Sequence, residues 1–223
     1  PVVTILVGFH FGWDAFRKER ELEKLQGAVK ESELQFLKSQ INPHFLFNNL
    51  NNLYAHAIEN SPKTPDIILE LSAVLRYMLY DCKAEYVPLG KEVEHIENFM
   101  KISELQIEDR GSVGLTVENV SESYQIAPLL LIVFIENAFK HSTASQTDNI
   151  SIAVDLRVEK DGVLKFSCVN SYHPHSNIDS LSSGIGLENV RKRLDLLYPQ
   201  AHELVIHQGE NRFEVILSLA LKK

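Results

Sequence analysis

The chain has 223 residues, a net charge of -8 and a 44% hydrophobic content, which suits one large or two small domains that each bury a core. The excess of acidic residues argues against direct binding of nucleic acid, because contact with phosphate backbones needs clustered Lys and Arg. Cys82 and Cys168 lie far apart and form no CxxC motif. Neither a disulfide framework nor a cysteine zinc site is therefore indicated, and we expect a reducing, cytosolic environment.

The first 13 residues are apolar but fall short of the roughly 20 that a membrane-spanning helix needs. Because the chain does not begin with Met, we interpret residues 1–13 as the end of a transmembrane helix. Trp13 would lie at the membrane interface, with Arg17, Lys18 and Arg20 on the cytoplasmic side, as the positive-inside rule predicts. The alternative is a buried strand or helix of a soluble protein. The membrane interpretation predicts an inner (plasma) membrane protein whose remaining residues face the cytoplasm.

Residues 14–41 are charged and helix-favouring, and they predict a coiled-coil signalling helix. Its apolar seam alternates spacings of three and four residues: Leu22, Leu25, Val29, Ser32 and Phe36. Asn42 and Pro43 interrupt this pattern, because proline lacks the hydrogen-bond donor that the preceding turn needs. We expect either a kink or a new helix that Asn42 caps, with Pro43 in its first turn.

The segment QINPHFLFNNLN at residues 40–51 contains the first candidate reactive group, His44. If residues 43–58 are helical, their apolar seam consists of Leu46, Leu50, Leu53 and Ala57. At about 100° per residue, His44 lies roughly 180 to 240° around the helix from that seam. Another domain could then reach its imidazole, which is a nucleophile near neutral pH. The alternative is an ordinary surface or helix-capping histidine.

A second and a third amphipathic helix follow the polar turn at residues 60–64. The second helix has a heptad-like seam of Ile68, Leu71, Leu75, Met78 and Cys82. The third, residues 89–108, has one apolar face formed by Leu89, Val93, Ile96 and Met100. A helical hairpin buries its seams better when two copies pair into a four-helix bundle, so residues 42–108 predict a homodimerisation domain.

The composition changes near residue 109, and residues 109–223 predict a second domain with five strands, two helices and one long polar loop. The predicted strands are residues 113–120, 150–159, 163–170, 202–207 and 212–221. The predicted helices are residues 128–141 and 185–198, and the polar loop at 171–183 suggests a mobile lid. Antiparallel strands with helices on one face predict an α+β fold, a two-layer α/β sandwich.

Two groups of residues in this domain suit a phosphate ligand. Asn137, Lys140 and His141 share one helix face, where an amide oxygen can bind Mg²⁺ and the two basic groups can meet phosphate oxygens. The alternative is that the basic groups only complement the dipole at a helix C-terminus. Gly184 and Gly186 open the next helix and would let its backbone approach a phosphate, although tight-turn glycines are the commoner explanation.

Residues 37–221 resemble the LytS-type sensor histidine kinases. The similarity rests on the segment at 40–51, on ENAFKH at 136–141 as the N box and on GIGLENVRKRL at 184–194 as a glycine box. The resemblance implies an ATP-binding domain of the Bergerat type and autophosphorylation of His44 by ATP. It places Mg²⁺ on Asn137, the phosphates near Lys140 and His141, and the nucleotide against the glycine-box residues Gly184, Gly186, Leu187 and Asn189. It also implies transfer to an aspartate in the receiver domain of a response regulator, of the LytTR type.

One position departs from the family pattern. Asn170 stands where such domains usually carry an Asp that accepts a hydrogen bond from the adenine amino group. Its amide oxygen can accept the same bond, but without charge assistance. A non-catalytic dimeric signalling scaffold is therefore one alternative function.

A second alternative is an ATP-hydrolysing relative of the same fold. Val133 occupies the position one turn before Asn137 from which a carboxylate would activate water, and Glu136 points about 100° away, which disfavours hydrolysis. Asn48 follows His44 by one helical turn and could orient water against a phosphorylated partner. The alternative for Asn48 is a solvated polar side chain.

Overall fold

A computed structural model of the chain describes residues 13, 16–21, 23–24, 43–145, 148–172 and 183–223. The described helices of eight or more residues are α1 (Pro43–Ile58), α2 (Thr64–Leu79), α3 (Leu89–Glu104), α4 (Ile132–Ser145) and α5 (Ser183–Leu197). The described strands are β1 (Val87–Pro88), β2 (Gly111–Glu118), β3 (Gln125–Ile126), β4 (Ile150–Val158), β5 (Val163–Ser171), β6 (His202–Gln208) and β7 (Arg212–Ala220).

The chain forms two compact units, residues 1–46 and residues 47–223. In the first unit the described residues are helical, and the Arg20 guanidinium lies 4.8 Å from the ring centroid of Phe16. The predicted membrane segment, most of the predicted coiled coil and Asn42 lie outside the described residues. Among the helices that are described, none has both the length and the apolar character to cross a membrane.

In the second unit α2 packs on α3, and the face of α2 that α3 covers overlaps only in part with the predicted seam. Its buried apolar residues are Ile67, Leu71, Val74, Tyr77 and Met78. Ile68, which we predicted to belong to the seam, is 47% exposed. The period was right, but α3 covers a face centred about one residue away, so Ile68 points to solvent. The predicted face of α3 is buried throughout, although α3 ends at Glu104 and a short 3-10 turn occupies residues 108–110.

The main sheet has five strands in the order β2-β4-β5-β7-β6. Our prediction of antiparallel strands is wrong for β2 and β4, which pair in parallel from Gly111–Ile150 to Glu118–Arg157. The reason is the crossover connection through α4, which returns the chain to the same end of the sheet before β4 begins. The remaining neighbours are antiparallel. A separate two-stranded ribbon joins β1 to β3.

The sheet has one buried face and one accessible face, as strict alternation along β4 shows. Five residues of β4 are buried: Ile150, Ile152, Val154, Leu156 and Val158. The residues between them are exposed. Helices α4 and α5 lie on the buried side, with Phe134 and Phe166 packed 5.9 Å apart between ring centroids. The α+β two-layer arrangement is therefore confirmed, and α4 is the helix that lies against the middle of the sheet.

Candidate nucleotide site

Helix α4 brings Asn137 to the side of the core that the sheet does not occupy. The residues that hold the helix on the sheet are Phe134, Ile135, Ala138 and Phe139, all buried. Each such apolar side chain contributes about 1.5–3 kcal/mol by leaving water. The Asn137 side chain is half-buried, and its amide nitrogen has no hydrogen-bond partner among the described residues. Buried polar atoms without a partner are rare in folded proteins, so this nitrogen is available to donate a hydrogen bond to a ligand.

Gly186, in the first turn of α5, lies directly beside Asn137. A Cβ atom on Gly186 would come within 3.9 Å of the Asn137 amide nitrogen and within 3.6 Å of the Val133 Cγ1 atom. The structure thus brings the predicted N-box helix and the predicted glycine-box helix together at these two residues. The absence of a side chain at Gly186 leaves space next to the unpartnered amide.

Lys140 and His141 lie on α4 one turn beyond Asn137, Lys140 exposed and His141 half-buried. We gave helix-end chemistry as the alternative for both, but α4 continues to Ser145 and has no basic residue in its last turn. Interaction with the C-terminal dipole falls off within the last turn. A role at the helix end therefore does not explain these two residues.

Asn170 is 2% exposed near the end of β5, and a residue that sequence analysis missed orients it. Its amide nitrogen donates to the Ser142 hydroxyl at 3.0 Å and to the Ser171 carbonyl oxygen at 2.8 Å. The Ser142 hydroxyl donates in turn to the same Ser171 carbonyl oxygen at 2.8 Å. Ser142 follows the N box directly, and its polar hydroxyl at a core position of α4 was the available signal.

The other predicted residues fall into two groups. Gly184 lies in the first turn of α5, Leu187 is half-buried and Asn189 is exposed. His44 lies in the first turn of α1, in the first compact unit, and its side chain is outside the described residues. Asn48 is half-buried and belongs to the second unit. Of the predicted lid, residues 173–182 are also outside the described residues.

Burial changes the ionisation of two groups on the α4 and β5 elements. Desolvation raises the pKa of the Glu136 carboxyl to about 7, and it raises the pKa of the Cys168 thiol to about 12. The thiol is therefore protonated at neutral pH and unsuited to nucleophilic chemistry. The Glu136 carboxyl is therefore more readily protonated than an exposed carboxyl, which reduces negative charge near Asn137.

The donor set fits a magnesium ion that arrives with a nucleotide better than one held by the protein alone. Within the described part of the chain, no group of three or more His, Cys, Asp or Glu side chains could hold a metal ion. Mg²⁺ usually keeps several waters and binds proteins through one or two side-chain oxygens together with substrate phosphates. The amide oxygen of Asn137 is one such ligand.

Comparison with known proteins agrees with this geometry. The family model described as "Histidine kinase" matches residues 32–111. The sensor protein LytS of Staphylococcus saprophyticus is 25% identical over 215 residues, which cover 91% of this chain and 36% of LytS. The sensor histidine kinase BtsS of Escherichia coli K12 is 30% identical over 176 residues, 78% of this chain and 30% of BtsS. The chain is therefore similar to LytS-type sensor histidine kinases, as its motifs indicated.

The chain spans about a third of the length of the curated relatives it matches. Among solved structures, it is similar to the histidine kinase domain of the blue-light activated histidine kinase from Erythrobacter litoralis EL346. That likeness has a TM-score of 0.47 and 12% identity, and it covers 84% of this chain and 90% of the other.

Proposed function

We propose that this chain is the cytoplasmic catalytic part of a membrane sensor histidine kinase, which autophosphorylates His44 from ATP. The unpartnered amide of Asn137 beside Gly186 is the observation that carries the proposal. A polar atom held out of water without a partner is costly unless a ligand pairs with it in the active state. A Mg²⁺–nucleotide complex can use both groups of this amide, since its oxygen is a metal ligand and its nitrogen can donate to a phosphate oxygen, for which Gly186 leaves room.

Asn170 supports the adenine end of the same ligand. Its amide nitrogen is engaged by Ser142 and Ser171, and among the described residues no donor bonds to its amide oxygen. That oxygen can accept a hydrogen bond from the exocyclic amino group of adenine. Ser142 follows Asn137 by five residues, about 7.5 Å along the helix axis. Helix α4 thus contributes a residue near each end of the proposed site.

In the proposed reaction a nitrogen of the His44 imidazole attacks the γ-phosphorus of ATP. The new bond is P–N, the bond from the γ-phosphorus to the β–γ bridging oxygen breaks, and ADP leaves with that electron pair. The attacking nitrogen uses its free lone pair to form the bond, and the proton on the other ring nitrogen is released to solvent as the neutral N-phosphorylated imidazole forms. Lys140 and His141 neutralise phosphate charge, and Mg²⁺ when bound does the same, which is the main requirement of phosphoryl transfer. The phosphoryl group then passes to an aspartate of a response regulator receiver domain, which we expect to be of the LytTR type.

The helices before the sheet support a homodimer. Four large apolar residues of α1 are exposed in the single chain: Phe47, Leu50, Tyr54 and Ile58. Ile68, Leu69 and Leu79 of α2 are exposed as well. Such an area of apolar surface on two successive helices is typical of an interface. We accordingly assign residues 42–108 to dimerisation and phosphoacceptance, residues 109–223 to ATP binding and the residues before them to a coiled coil and a membrane segment.

Asn48 is assigned a second, weaker role in this scheme. Together with Asn51, Asn52, His56 and Arg110 it lines a polar groove of about 430 Å³. A phosphorylated receiver domain that presents its aspartyl phosphate here could receive a water molecule oriented by the Asn48 amide. Unchanged dephosphorylation of the partner by an Asn48→Ala protein would overturn this role.

Incubation with γ-labelled ATP and Mg²⁺ tests the proposed function. We expect an acid-labile, alkali-stable label on the wild-type protein, no label on His44→Gln, and at least a tenfold lower initial rate for Asn137→Ala. The matched control is His207→Gln, an exposed histidine on β6, which should label normally. Steady phosphate release without label would instead identify an ATP-hydrolysing relative, and neither label nor nucleotide binding would identify a scaffold.

A further inference from the structure

Glu92 of α3 is a fully buried carboxylate that joins two parts of the second unit. One of its oxygens accepts a hydrogen bond from the Tyr77 hydroxyl of α2 at 2.6 Å and another from the Leu129 amide at 3.0 Å. Its other oxygen accepts from the Leu130 amide at 3.1 Å. One side chain therefore binds both α2 and the segment that leads into α4.

That segment, residues 127–131, has an unusual backbone conformation, and several other elements form hydrogen bonds with it. Leu129 has a φ of 56°, a left-handed conformation that is unfavourable for a residue other than glycine. Successive backbone amides that point the same way make an anion-binding concavity, and here the anion is the Glu92 carboxylate. A strained backbone conformation of this kind persists only when several surrounding contacts hold it in place.

Helix α5 holds the same segment from the opposite side. The Arg193 guanidinium donates to the Pro128 carbonyl oxygen at 2.8 Å and to the Leu129 carbonyl oxygen at 3.4 Å. The Tyr198 hydroxyl, just after α5, accepts from the Ala127 amide at 2.7 Å. The amides of the segment thus bind Glu92 of α3, while its carbonyl oxygens bind Arg193 of α5.

Both helices of the proposed nucleotide site converge on residues 127–131. The segment continues into α4, where the Phe134 amide donates to the Leu131 carbonyl oxygen, and α4 carries Asn137 one turn later. Arg193 is on α5, whose first turn contains Gly186. Tyr77 is on α2, which the turn at 59–63 connects along the chain to the helix that contains His44. A shift of α2 changes the Tyr77–Glu92 bond before it changes any other contact of this carboxylate.

Most groups around Glu92 counteract the effect of burial on its carboxyl group. Burial raises the pKa of Glu92, and the Tyr77 hydrogen bond, the backbone amides and the Arg193 guanidinium oppose that rise. Burial and the neighbouring carboxylate raise the pKa of Tyr77, so its hydroxyl remains a donor. The His95 ring stacks on the Tyr77 ring with centroids 4.4 Å apart, and burial lowers the pKa of His95, so this neighbour is neutral near pH 7.

We propose that Glu92 is a positioning residue that couples the placement of α2, through the Tyr77 hydroxyl, to the geometry of the nucleotide site on α4 and α5. The inference rests on the proposed function of the Asn137 site. Loss of the Tyr77 donor leaves the carboxylate with two backbone donors and frees it to shift. The 127–131 segment moves with it, and Asn137 and Gly186 lose their mutual placement.

The test measures nucleotide affinity with a fluorescent ATP analogue and His44 labelling with γ-labelled ATP, both on the same 223-residue chain. Glu92→Gln places an amide N–H₂ against at least one backbone N–H, so we expect about a tenfold loss of affinity. Tyr77→Phe keeps the ring stacked on His95 and should weaken affinity about threefold. In the Glu92→Gln background Tyr77→Phe should add less than half of its own effect, because Glu92→Gln already loosens the hold on residues 127–131 through which Tyr77 acts. The controls are Glu97→Gln, at an exposed residue of α3, and Tyr80→Phe, at the exposed residue that follows α2.

The outcomes separate this inference from the proposed function. If the wild-type protein binds nucleotide and Tyr77→Phe lowers only the melting temperature, with affinity and labelling unchanged, Glu92 is merely structural and the inference is overturned. Additive effects in the double variant would also overturn it. If the wild-type protein binds no nucleotide, the proposed function fails first and the inference falls with it. Thermal unfolding of each variant identifies any that fails to fold. In that case Arg193→Lys tests the same segment from α5. A matching loss of affinity is expected, and an unchanged affinity would contradict the coupling.

Discussion

The Asn170 amide nitrogen donates a 3.0 Å hydrogen bond to the hydroxyl of Ser142, across the boundary between β5 and α4. The same nitrogen donates to the Ser171 carbonyl oxygen, which can only accept, so the orientation of the amide is unambiguous. The amide oxygen must then point away from Ser171. The local hydrogen bonds therefore require the amide of Asn170, whose nitrogen is a donor, instead of the Asp that is usual in the family.

This orientation predicts that replacing Asn170 by the Asp usual in the family will neither strengthen nucleotide binding nor stabilise the protein. In Asn170→Asp, a carboxylate oxygen would replace the amide nitrogen that now lies 2.8 Å from the Ser171 carbonyl oxygen. Two acceptors facing each other in a buried site should lower the free energy of unfolding by about 2 kcal/mol at pH 8. Urea denaturation measures the loss, and Asn211→Asp, in the exposed turn before β7, is the matched control. Tighter nucleotide binding with unchanged stability would contradict the assignment.

The contact between Gly186 and Asn137 predicts a sharp dependence on side-chain size. In Gly186→Ala the new Cβ atom meets only ordinary contacts at 3.6 and 3.9 Å, and alanine favours helix by up to about 1 kcal/mol. Gly186→Leu fills the space beside Asn137 instead, so nucleotide affinity should fall more than tenfold while the protein stays folded. Fluorescence titration and circular dichroism measure the two quantities. Equal affinities for the Ala and Leu variants would show that the nucleotide does not lie against this turn.

His95 predicts a specific loss of stability in acid. Burial lowers its pKa from 6.5 to about 4, so the neutral ring stabilises the fold above pH 6.5, and that contribution is lost as the pH falls toward 4. The full loss is about 3 kcal/mol, at 1.36 kcal/mol per pKa unit. His95→Phe keeps a ring against Tyr77 but cannot take up a proton. Its free energy of unfolding should therefore fall less between pH 7 and pH 4 than that of the wild type, whereas the exposed His207→Gln should follow the wild type. Parallel curves for His95→Phe and the wild type would refute the prediction.

The exposed apolar surface of α1 and α2 predicts the assembly state. Tyr54 and Leu69 are each 68% exposed in the single chain. Replacing both by Lys places two charges in the proposed dimer interface, and we expect the dissociation constant of the dimer to rise at least tenfold. Sedimentation equilibrium measures it. Leu196→Lys changes an equally exposed leucine of α5, 79% exposed, and should leave the dimer intact. Equal constants for the two proteins would place the interface elsewhere.

Local sequence patterns were sufficient to predict most of the secondary structure. The helix predicted at residues 43–58 matches α1, and the predicted strand at 150–159 differs from β4 by one residue. The apolar face of α3 was also predicted correctly, since its period of 3.6 residues needs only a partner of some kind. Boundaries were weaker where no residue punctuates the pattern, and α4 runs to Ser145 instead of ending at His141.

The candidate site was predictable in part. The N box and the glycine box were recognised from their residues, and the structure places Asn137 and Gly186 together. Ser142 and Glu92 were missed because a polar residue on an apolar helix face does not reveal its partner. Glu92 follows Leu89 by three residues and precedes Ile96 by four, so its position on the buried face was visible in the sequence. Its hydrogen bonds to Leu129 and Leu130 were not.

The sequence by itself determined which segments are helices and strands, which faces are apolar and which residue types could bind a phosphate. These properties depend on residues a few positions apart, and periodicity reports them directly. The tertiary structure decided the parallel pairing of β2 with β4, the face of α2 that α3 covers and the orientation of Asn170. Each of these depends on contacts between residues far apart in the chain, where burial and hydrogen-bond pairing select one arrangement among several with the same local pattern.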